Sequence, residues 1–551
     1  MELALSGLTL LYVNVRRFDY AEFVNGAMKV FIKSVVVIVS CAVLPFLKLA
    51  AFRKINRCPA ISNKLLLIPA NQLAKKIRRK EITSEEIVRA YIERCREVNP
   101  VLNAIVENRF EAAIKEAREV DQFVQSGAKS EELLAQDTPL LGIPITVKES
   151  IAVKGMSHAA GRKTKEPIIA AKDADSVQRV KKAGGIIILV SNTPEMCMCW
   201  ETYNNVTGTT VNPYDTRRTP GGSSGGEAAL LGSAASLLSV SSDIGGSARL
   251  PAMFCGVFGH KPTPGWVSTD GHMPDSTDPM WPSFLTVAPM VRYSEDLLFY
   301  LKVMIQSDIS QSQLNEEVHI NNIKFYYFEE IPSFLTHKID SEIITGIHKF
   351  IQHLESSQGI KAQKAVIPHL KYAFETSSTM LLNLDGVDTI FDDETKADLK
   401  WKRVLGEIFK YSTCRSSHSV SSILYGLLKK ITDSFPKNHY NWLNEKNESI
   451  KKQFQEILGD NGVIICPTFI DGSHYPYEIY PRVCDVTYMM IFNAIGLPVT
   501  QCPMGFNKNG LPIGFQVVGN VGQDRLTIAV AREVERAFGG WQPPPSLEKE
   551  V

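Results

Sequence analysis

The distribution of apolar and polar positions separates an N-terminal stretch from the rest of the chain. Residues 30–52 read VFIKSVVVIVSCAVLPFLKLAAF, with Lys33 and Lys48 as the only charges and nine Val, Ile, Leu or Phe residues among positions 34–47. Each such residue favours membrane insertion by roughly 0.3–0.6 kcal/mol, and lysines near the ends of a span can reach the interface, so the run reads as a membrane anchor. Its uninterrupted part, 14 residues between the lysines, is about 21 Å as a helix, short for an apolar bilayer core of about 30 Å, and Pro45 predicts a kink. A secretory signal and a buried core helix are the competing readings, the first weakened because no clear small-x-small cleavage site follows Leu47. Basic residues follow the run (Lys48, Arg53, Lys54, Arg57) and precede it (Arg16, Arg17, Lys29), so the positive-inside rule leans only slightly toward a cytoplasmic body and leaves topology open.

Beyond this stretch the pattern changes. Thr83-Ser84-Glu85-Glu86 is a capping box, and Ile87, Ala90, Tyr91 and Cys95 recur at helical spacing, which predicts an amphipathic helix in a soluble body starting near residue 65. Short apolar runs with turn residues beside them, at 143–147, 186–190, 463–466 and 515–518, predict buried strands. Helical stretches alternate with them, so the predicted class is α/β, with a largely internal sheet and helices on both faces. Residues 310–460 are more charged, rich in helical patterns and studded with aromatics such as Phe325, Tyr326, Tyr327 and Phe328. They read as an excursion from the same domain, with the sheet assembled from both sides, because apolar strands resume at Val463. No repeat or low-complexity linker divides the chain, so one large domain is expected where 551 residues would allow three or four.

Charge and composition narrow the partners. Lys and Arg number 60 against 59 Asp and Glu, and this balance gives no electrostatic footprint for nucleic acid. With 44% apolar and 22% charged residues, a disordered chain is excluded. Ten cysteines are scattered without the density of a disulfide scaffold, and Cys197-Met198-Cys199 has no second pair at finger-like spacing, so reduced thiols and no metal are expected. Chance alone can supply the sequons Asn205-Val206-Thr207 and Asn447-Glu448-Ser449 in a chain this long, so they do not settle the compartment.

The chemistry concentrates in residues 220–263, PGGSSGGEAALLGSAASLLSVSSDIGGSARLPAMFCGVFGHKPT. A flexible linker would not be cut by apolar segments such as 228–231 and 234–240, and a P-loop would need a lysine where Glu227 follows Gly226. What remains is a loop of close-packed backbone, serine hydroxyls and free amide groups. Successive N–H groups in Ile244-Gly245-Gly246-Ser247 can form a nest aimed at one oxygen, and an oxyanion donor is worth about 2.7–4 kcal/mol of barrier. Ser247 would then be a nucleophile beside its own oxyanion hole. A serine needs a base; His260 and His272 are the nearest of 11 histidines, but neither has a setting that marks it as one. Lys148, at the end of GIPITVKES, has two readings: a strand-end lysine reaching solvent, or a buried amine whose pKa burial lowers by up to about 3–5 units. Spacing does not choose between them.

GIPITVKES, PGGSSGGEAAL and SDIGGSARLPA resemble the three core blocks of the amidase signature family. Ser223 and Ser247 lie 24 residues apart and Lys148 precedes Ser223 by 75, the family's order and approximate spacing. APMVR at 288–292, CPT at 466–468 and NAIGLP at 493–498 match as well, so the resemblance covers about residues 65–540. It implies a single large amidase-signature domain with a mixed central sheet, preceded by an N-terminal segment, 1–60, that holds the anchor. It also implies a Ser-Ser-Lys triad working through an acyl-enzyme: Lys148 as base, Ser223 as bridging serine on a cis peptide bond, and Ser247 as acylated nucleophile. Ser224, Asp243 and Arg249 take supporting positions, and no cofactor is implied. Ala228, Ala248 and Ala288 depart from the family's usual residues without removing a reacting group. Joined to the apolar N-terminus, the resemblance implies a lipid amide substrate, primary amides or N-acyl ethanolamides, taken from a membrane to which the segment binds as a single-pass or monotopic element, with endomembrane or lipid droplet as locations. A homodimer stays open. The alternatives are an amidase of small amides, the glutaminase subunit of a tRNA amidotransferase, and an inactive membrane-bound lipid-amide carrier.

Overall fold

Strands built from near-continuous apolar runs need cover on both faces, and the chain supplies it around an eleven-stranded sheet. The computed structural model describes residues 20–306, 313–387, 390, 401–432 and 437–547. In chain order the strands are β1 (Ile105–Asn108), β2 (Pro144–Lys148), β3 (Ile186–Ser191), β4 (Leu238–Asp243), β5 (Phe258–Lys261), β6 (Thr286–Val291), β7 (Lys324–Tyr327), β8 (Gln363–Lys364), β9 (Gly462–Pro467), β10 (Val499–Phe506) and β11 (Pro512–Gly519). Their spatial order is β8-β7-β9-β11-β10-β5-β6-β4-β2-β3-β1. The sheet is mixed: β2 runs parallel to β3 and β4, whereas β4, β6, β5, β10, β11 and β9 succeed one another antiparallel. Every residue of β2, β3, β9 and β11 is buried, as the apolar runs predict, and so is every residue of β4, which no such run announces.

The helices that bear on the site and the N-terminal segment are α1 (Tyr20–Ala51), α2 (Ser84–Leu102), α3 (Gly225–Gly232), α4 (Arg249–Phe254), α5 (Ala373–Leu382), α6 (Lys437–Leu458) and α7 (Thr487–Ala494). The capping box opens α2: Thr83 Oγ1 accepts from the Glu86 amide at 3.2 Å and Glu86 Oε2 from the Thr83 amide at 2.8 Å.

The stretch 310–460 departs from its reading as a helical excursion. It contributes β7 and β8 to the sheet, with Lys324 to Tyr327 in parallel register with Gly462 to Ile465. Lys324 is exposed and Phe325 buried, the alternation of a strand, which the charged helical sequence around it masked. Residues 310–312, 388–389, 391–400 and 433–436 of this stretch lie outside the described residues.

At the N-terminus, the apolar run lies inside a much longer helix. α1 has 32 residues, about 48 Å, so the 14-residue lysine-free run is the middle of a helix that continues past both of its lysines. Its Lys29 pairs with Glu375 of α5 at 2.6 Å, and Lys33 Nζ reaches the Leu335 carbonyl at 3.5 Å. Both lysines therefore face the body, and Val30, Phe31, Ile38, Phe46 and Leu49 face outward. Arg217 Nη1 caps the last turn by donating to the Ala51 carbonyl at 3.0 Å. Arg16 and Arg17 lie outside the described residues. All ten cysteines are free thiols, and Asn447, on α6, is 1% exposed, which closes that sequon to a glycan.

Candidate active site

Parallel neighbours β2 and β4 end side by side, with Val147 opposite Val240, and so bring two pieces of chemistry together at their carboxyl ends. Lys148 is the last residue of β2, and Ser242-Asp243 close β4 before the turn Ile244-Gly245-Gly246 leads to Ser247 and α4. The third piece, Ser223, precedes α3 on a cis Gly222–Ser223 peptide bond. A Cβ on Gly222 would lie 2.6 Å from the Glu201 amide nitrogen, so only glycine fits this approach. Gly246 has φ of +105°, in the region that favours glycine.

Lys148 is fully buried, and of its two readings the structure shows the enclosed one. Its Nζ lies 2.7 Å from Ser223 Oγ and 2.9 Å from Ser242 Oγ. Burial holds the amine below the ordinary lysine range. The Ser223 carbonyl accepts from Thr193 Oγ1 at 3.1 Å. Ser224 joins the two loops: its amide donates to the Ser247 carbonyl at 3.2 Å and its hydroxyl to the Ser242 carbonyl at 3.1 Å. Ser247 is 4% exposed, and among the described residues no hydrogen bond joins its hydroxyl to that of Ser223. The lysine and the first serine are thus in contact, and the second serine stands apart.

Asp243 and Arg249 shape the turn. Asp243 accepts from the amides of Gly246 at 2.8 Å and Ala248 at 3.2 Å, and Arg249 grips both carboxylate oxygens at 3.1 Å. Burial alone would favour the acid form of Asp243, but the guanidinium and its hydrogen bonds hold the carboxyl well below the usual range. Arg249 also donates to the Met489 carbonyl, Gln516 and Asn493, tying the turn to α7 and β11. Because Asp243 already takes the Gly246 amide, the candidate oxyanion donors reduce from the four of Ile244, Gly245, Gly246 and Ser247 to those of Ile244, Gly245 and Ser247. Trp200 Nε1 holds the Gly245 carbonyl at 2.9 Å.

Sequence reasoning left three neighbours without a role. Ser242 bears on Lys148 directly. His272, passed over as a base, lies 2.9 Å from Ser242 Oγ. Glu227, read only as the residue that excludes a P-loop, accepts from Thr146 Oγ1 in the middle of β2 and is lifted by burial to about 7. No residue spacing announces these contacts, since they join segments up to 94 residues apart in the chain.

Beside the turn, Ile244 packs with Trp281, Phe284, Met380, Leu384 and Leu443 in an apolar cluster drawn from α4's approach, the 281–285 segment, α5 and α6. Trp281 and Phe284 thus share a buried cluster with Ile244, three residues before Ser247, whereas Trp266 belongs to the main core. Among the described residues no group of three or more His, Cys, Asp or Glu side chains has metal-binding geometry.

The amidase family model matches residues 86–528. Fatty-acid amide hydrolase 2-A of Danio rerio is 40% identical over 499 residues, 89% of this chain and 92% of that protein. Fatty-acid amide hydrolase 2 of Homo sapiens is 39% identical over 491 residues, 88% and 91% of the two chains. A solved fatty acid amide hydrolase superposes with a TM-score of 0.67 at 21% identity, covering 87% of this chain and 86% of that one. The match of the family model through all three core blocks, with relatives near 40% identity along almost the whole length, means that this chain belongs to the amidase signature family.

Proposed function

We propose that the chain is a serine hydrolase of fatty-acid amides, its body from about residue 65 to 540 the catalytic domain and residues 1–60 the membrane-binding segment. The observation that carries this reading is the buried Lys148 amine in hydrogen-bond contact with Ser223, one loop away from Ser247. The neutral amine accepts the Ser223 proton while Ser223 Oγ takes that of Ser247, whose oxygen then bonds to the amide carbon. The amides of Ile244, Gly245 and Ser247 take the oxyanion. The C–N bond breaks as the proton returns from Lys148 through Ser223 to the leaving nitrogen. Water then adds to the acyl-enzyme with the same relay, releasing the fatty acid. Ser224, Asp243 and Arg249 hold the turn that carries the nucleophile.

Two features support a lipid substrate. The Ile244 cluster sets apolar packing beside the turn that leads to Ser247, and α1 turns an apolar face outward while its other face is fixed to the body by Glu375, Leu335 and Arg217. Attachment toward both ends favours a monotopic helix lying along a membrane over a free single-pass span. The relatives named fatty-acid amide hydrolase 2 agree with this class.

The purified full chain in detergent should release oleate from oleamide and fatty acid from N-acyl ethanolamides. Glutamine turnover with no oleamide turnover would replace this reading with that of a glutaminase, and oleamide binding without turnover would replace it with a carrier. The pH profile is a separate expectation. Only unprotonated Lys148 can accept a proton, so kcat/KM should rise with pH, at least tenfold per unit where the amine is mostly charged, and level off below the usual lysine value of about 10.4. An acid limb that persists unchanged in Lys148→Ala would show that another group sets it.

A further inference from the structure

The hydrogen bonds around Lys148 do not stop at the serines. Ser242, the second partner of the amine, is tied to an imidazole: His272 Nε2 lies 2.9 Å from Ser242 Oγ and 3.4 Å from Ser150 Oγ, and His272 Nδ1 lies 2.8 Å from the Pro274 carbonyl oxygen. The ring is 5% exposed. It is placed by the residues that follow Lys148, through an antiparallel bridge between Ile151 and His272 and a 2.8 Å bond from the Met273 amide to the Ser150 carbonyl.

This geometry fixes which nitrogen of the neutral ring carries the hydrogen. A carbonyl oxygen can only accept, so Nδ1 carries the hydrogen and Nε2 of the neutral ring is an acceptor. Ser242, at 2.9 Å against 3.4 Å for Ser150, is then the nearer donor to Nε2, and giving its hydroxyl proton there turns an oxygen lone pair toward Lys148. A neutral amine has two hydrogens and one lone pair. With one hydrogen drawn to Ser242, its lone pair is free for Ser223 on the other side, 2.7 Å away. We propose that His272 is a positioning residue that acts through Ser242 to aim the Lys148 lone pair at Ser223. The inference rests on the reading of Lys148 as the base.

Protonation of His272 reverses the arrangement. Nε2–H then donates to Ser242 Oγ, and the displaced Ser242 proton points at the Lys148 lone pair, taking it away from Ser223. No covalent bond to carbon changes and one proton is taken up. The titratable groups facing the ring are Lys148 at the end of β2, Cys197 of the turn Glu195–Cys197, and His158 of the connection between β2 and β3. A charge on Lys148 and one on His272 each disable the relay, so the acid limb of the rate should carry two protons: log kcat/KM should fall with a slope approaching two per pH unit.

The experiment uses the full-length protein, with kcat, KM and the rate of inactivation by a fluorophosphonate probe measured across pH. His272→Leu should lower kcat about 10- to 100-fold with KM within about twofold, because the base is misaimed and the substrate untouched. His272→Gln, whose side-chain carbonyl can accept from Ser242 but cannot titrate, should recover kcat to within about threefold of wild type while the limiting acid slope drops to one. The pair Ser242→Ala and His272→Leu should be non-additive, the double variant no slower than Ser242→Ala, since both act through one hydroxyl. Melting temperatures identify any variant lost to unfolding, in which case His272→Gln decides alone. A His272→Leu enzyme within threefold of wild type, a slope of two retained in His272→Gln, or full additivity would overturn the proposal. Failure of the underlying reading looks different: Lys148→Ala would then be inactivated by the probe at the wild-type rate.

Discussion

Ser247→Ala should lower kcat on oleamide by at least about 10⁴-fold and abolish covalent labelling by a fluorophosphonate, with the folded protein unchanged. The size follows from what a hydroxyl does here. In the proposed mechanism, removing it takes away the atom that bonds to the carbonyl carbon, and what remains is binding and the proposed oxyanion donors of Ile244, Gly245 and Ser247 itself, whose amide survives the change. Such remnants keep about 10³–10⁴ over the uncatalysed reaction, a small part of the whole. Ser223→Ala should also be slow, by a comparable factor, because without its oxygen Lys148 has no path to Ser247; the two changes together should be little worse than Ser247→Ala alone. Stability is expected to stay near wild type, since among the described residues the Ser247 hydroxyl does not bond to Ser223, while the backbone bond from Ser224 to the Ser247 carbonyl is retained. Mass spectrometry of the labelled wild-type protein locates the adduct. An adduct on Ser223, or persistent labelling of Ser247→Ala, would sink the assignment of the nucleophile.

How far the sequence reached can be judged residue by residue. The buried strands were visible because β2, β3, β9 and β11 are covered on both sides and leave continuous apolar runs. The α2 cap was visible because a capping box is a local reciprocal bond. β7 was hidden because only Phe325 of its four residues is fully buried, so a strand next to the sheet's edge carries half a pattern inside a helical background. Lys148 stayed ambiguous for a different reason. A lysine at a strand end is ordinary, and what makes this one an enclosed amine is the arrival of Ser223 and Ser242 from 75 and 94 residues away. The Gly246 amide shows the limit of motif reasoning in the other direction: a glycine-rich nest suggests four donors, and the Asp243 carboxylate at 2.8 Å takes one of them.

The second large effect is expected at Arg249. Arg249→Met should destabilise the protein by about 3–5 kcal/mol at neutral pH, because it leaves a buried carboxylate without its partner, together with three acceptors, on Asn493, Gln516 and Met489, that lose their donor. Both side chains of the pair are fully buried, so water cannot take the place of the guanidinium. The loss should depend on pH with a definite sign. In the wild type the folded-state pKa of Asp243 is depressed, so its contribution to stability is present above the unfolded carboxylate value of about 3.9 and fades as pH falls toward the folded value. Without Arg249, burial is left as the main influence and raises the carboxyl instead, so the variant is penalised at neutral pH and relieved as the group takes up a proton. The gap between wild type and variant, measured by denaturant unfolding at neutral pH and near pH 4, should therefore narrow on acidification. Adding Asp243→Asn should recover part of the loss at neutral pH: the amide oxygen can still accept from Gly246 while no charge is buried. It should not recover the rate, since the turn that presents Ser247 loses its ties to α7 and β11. A gap that stays constant with pH would mean that the guanidinium acts mainly through packing.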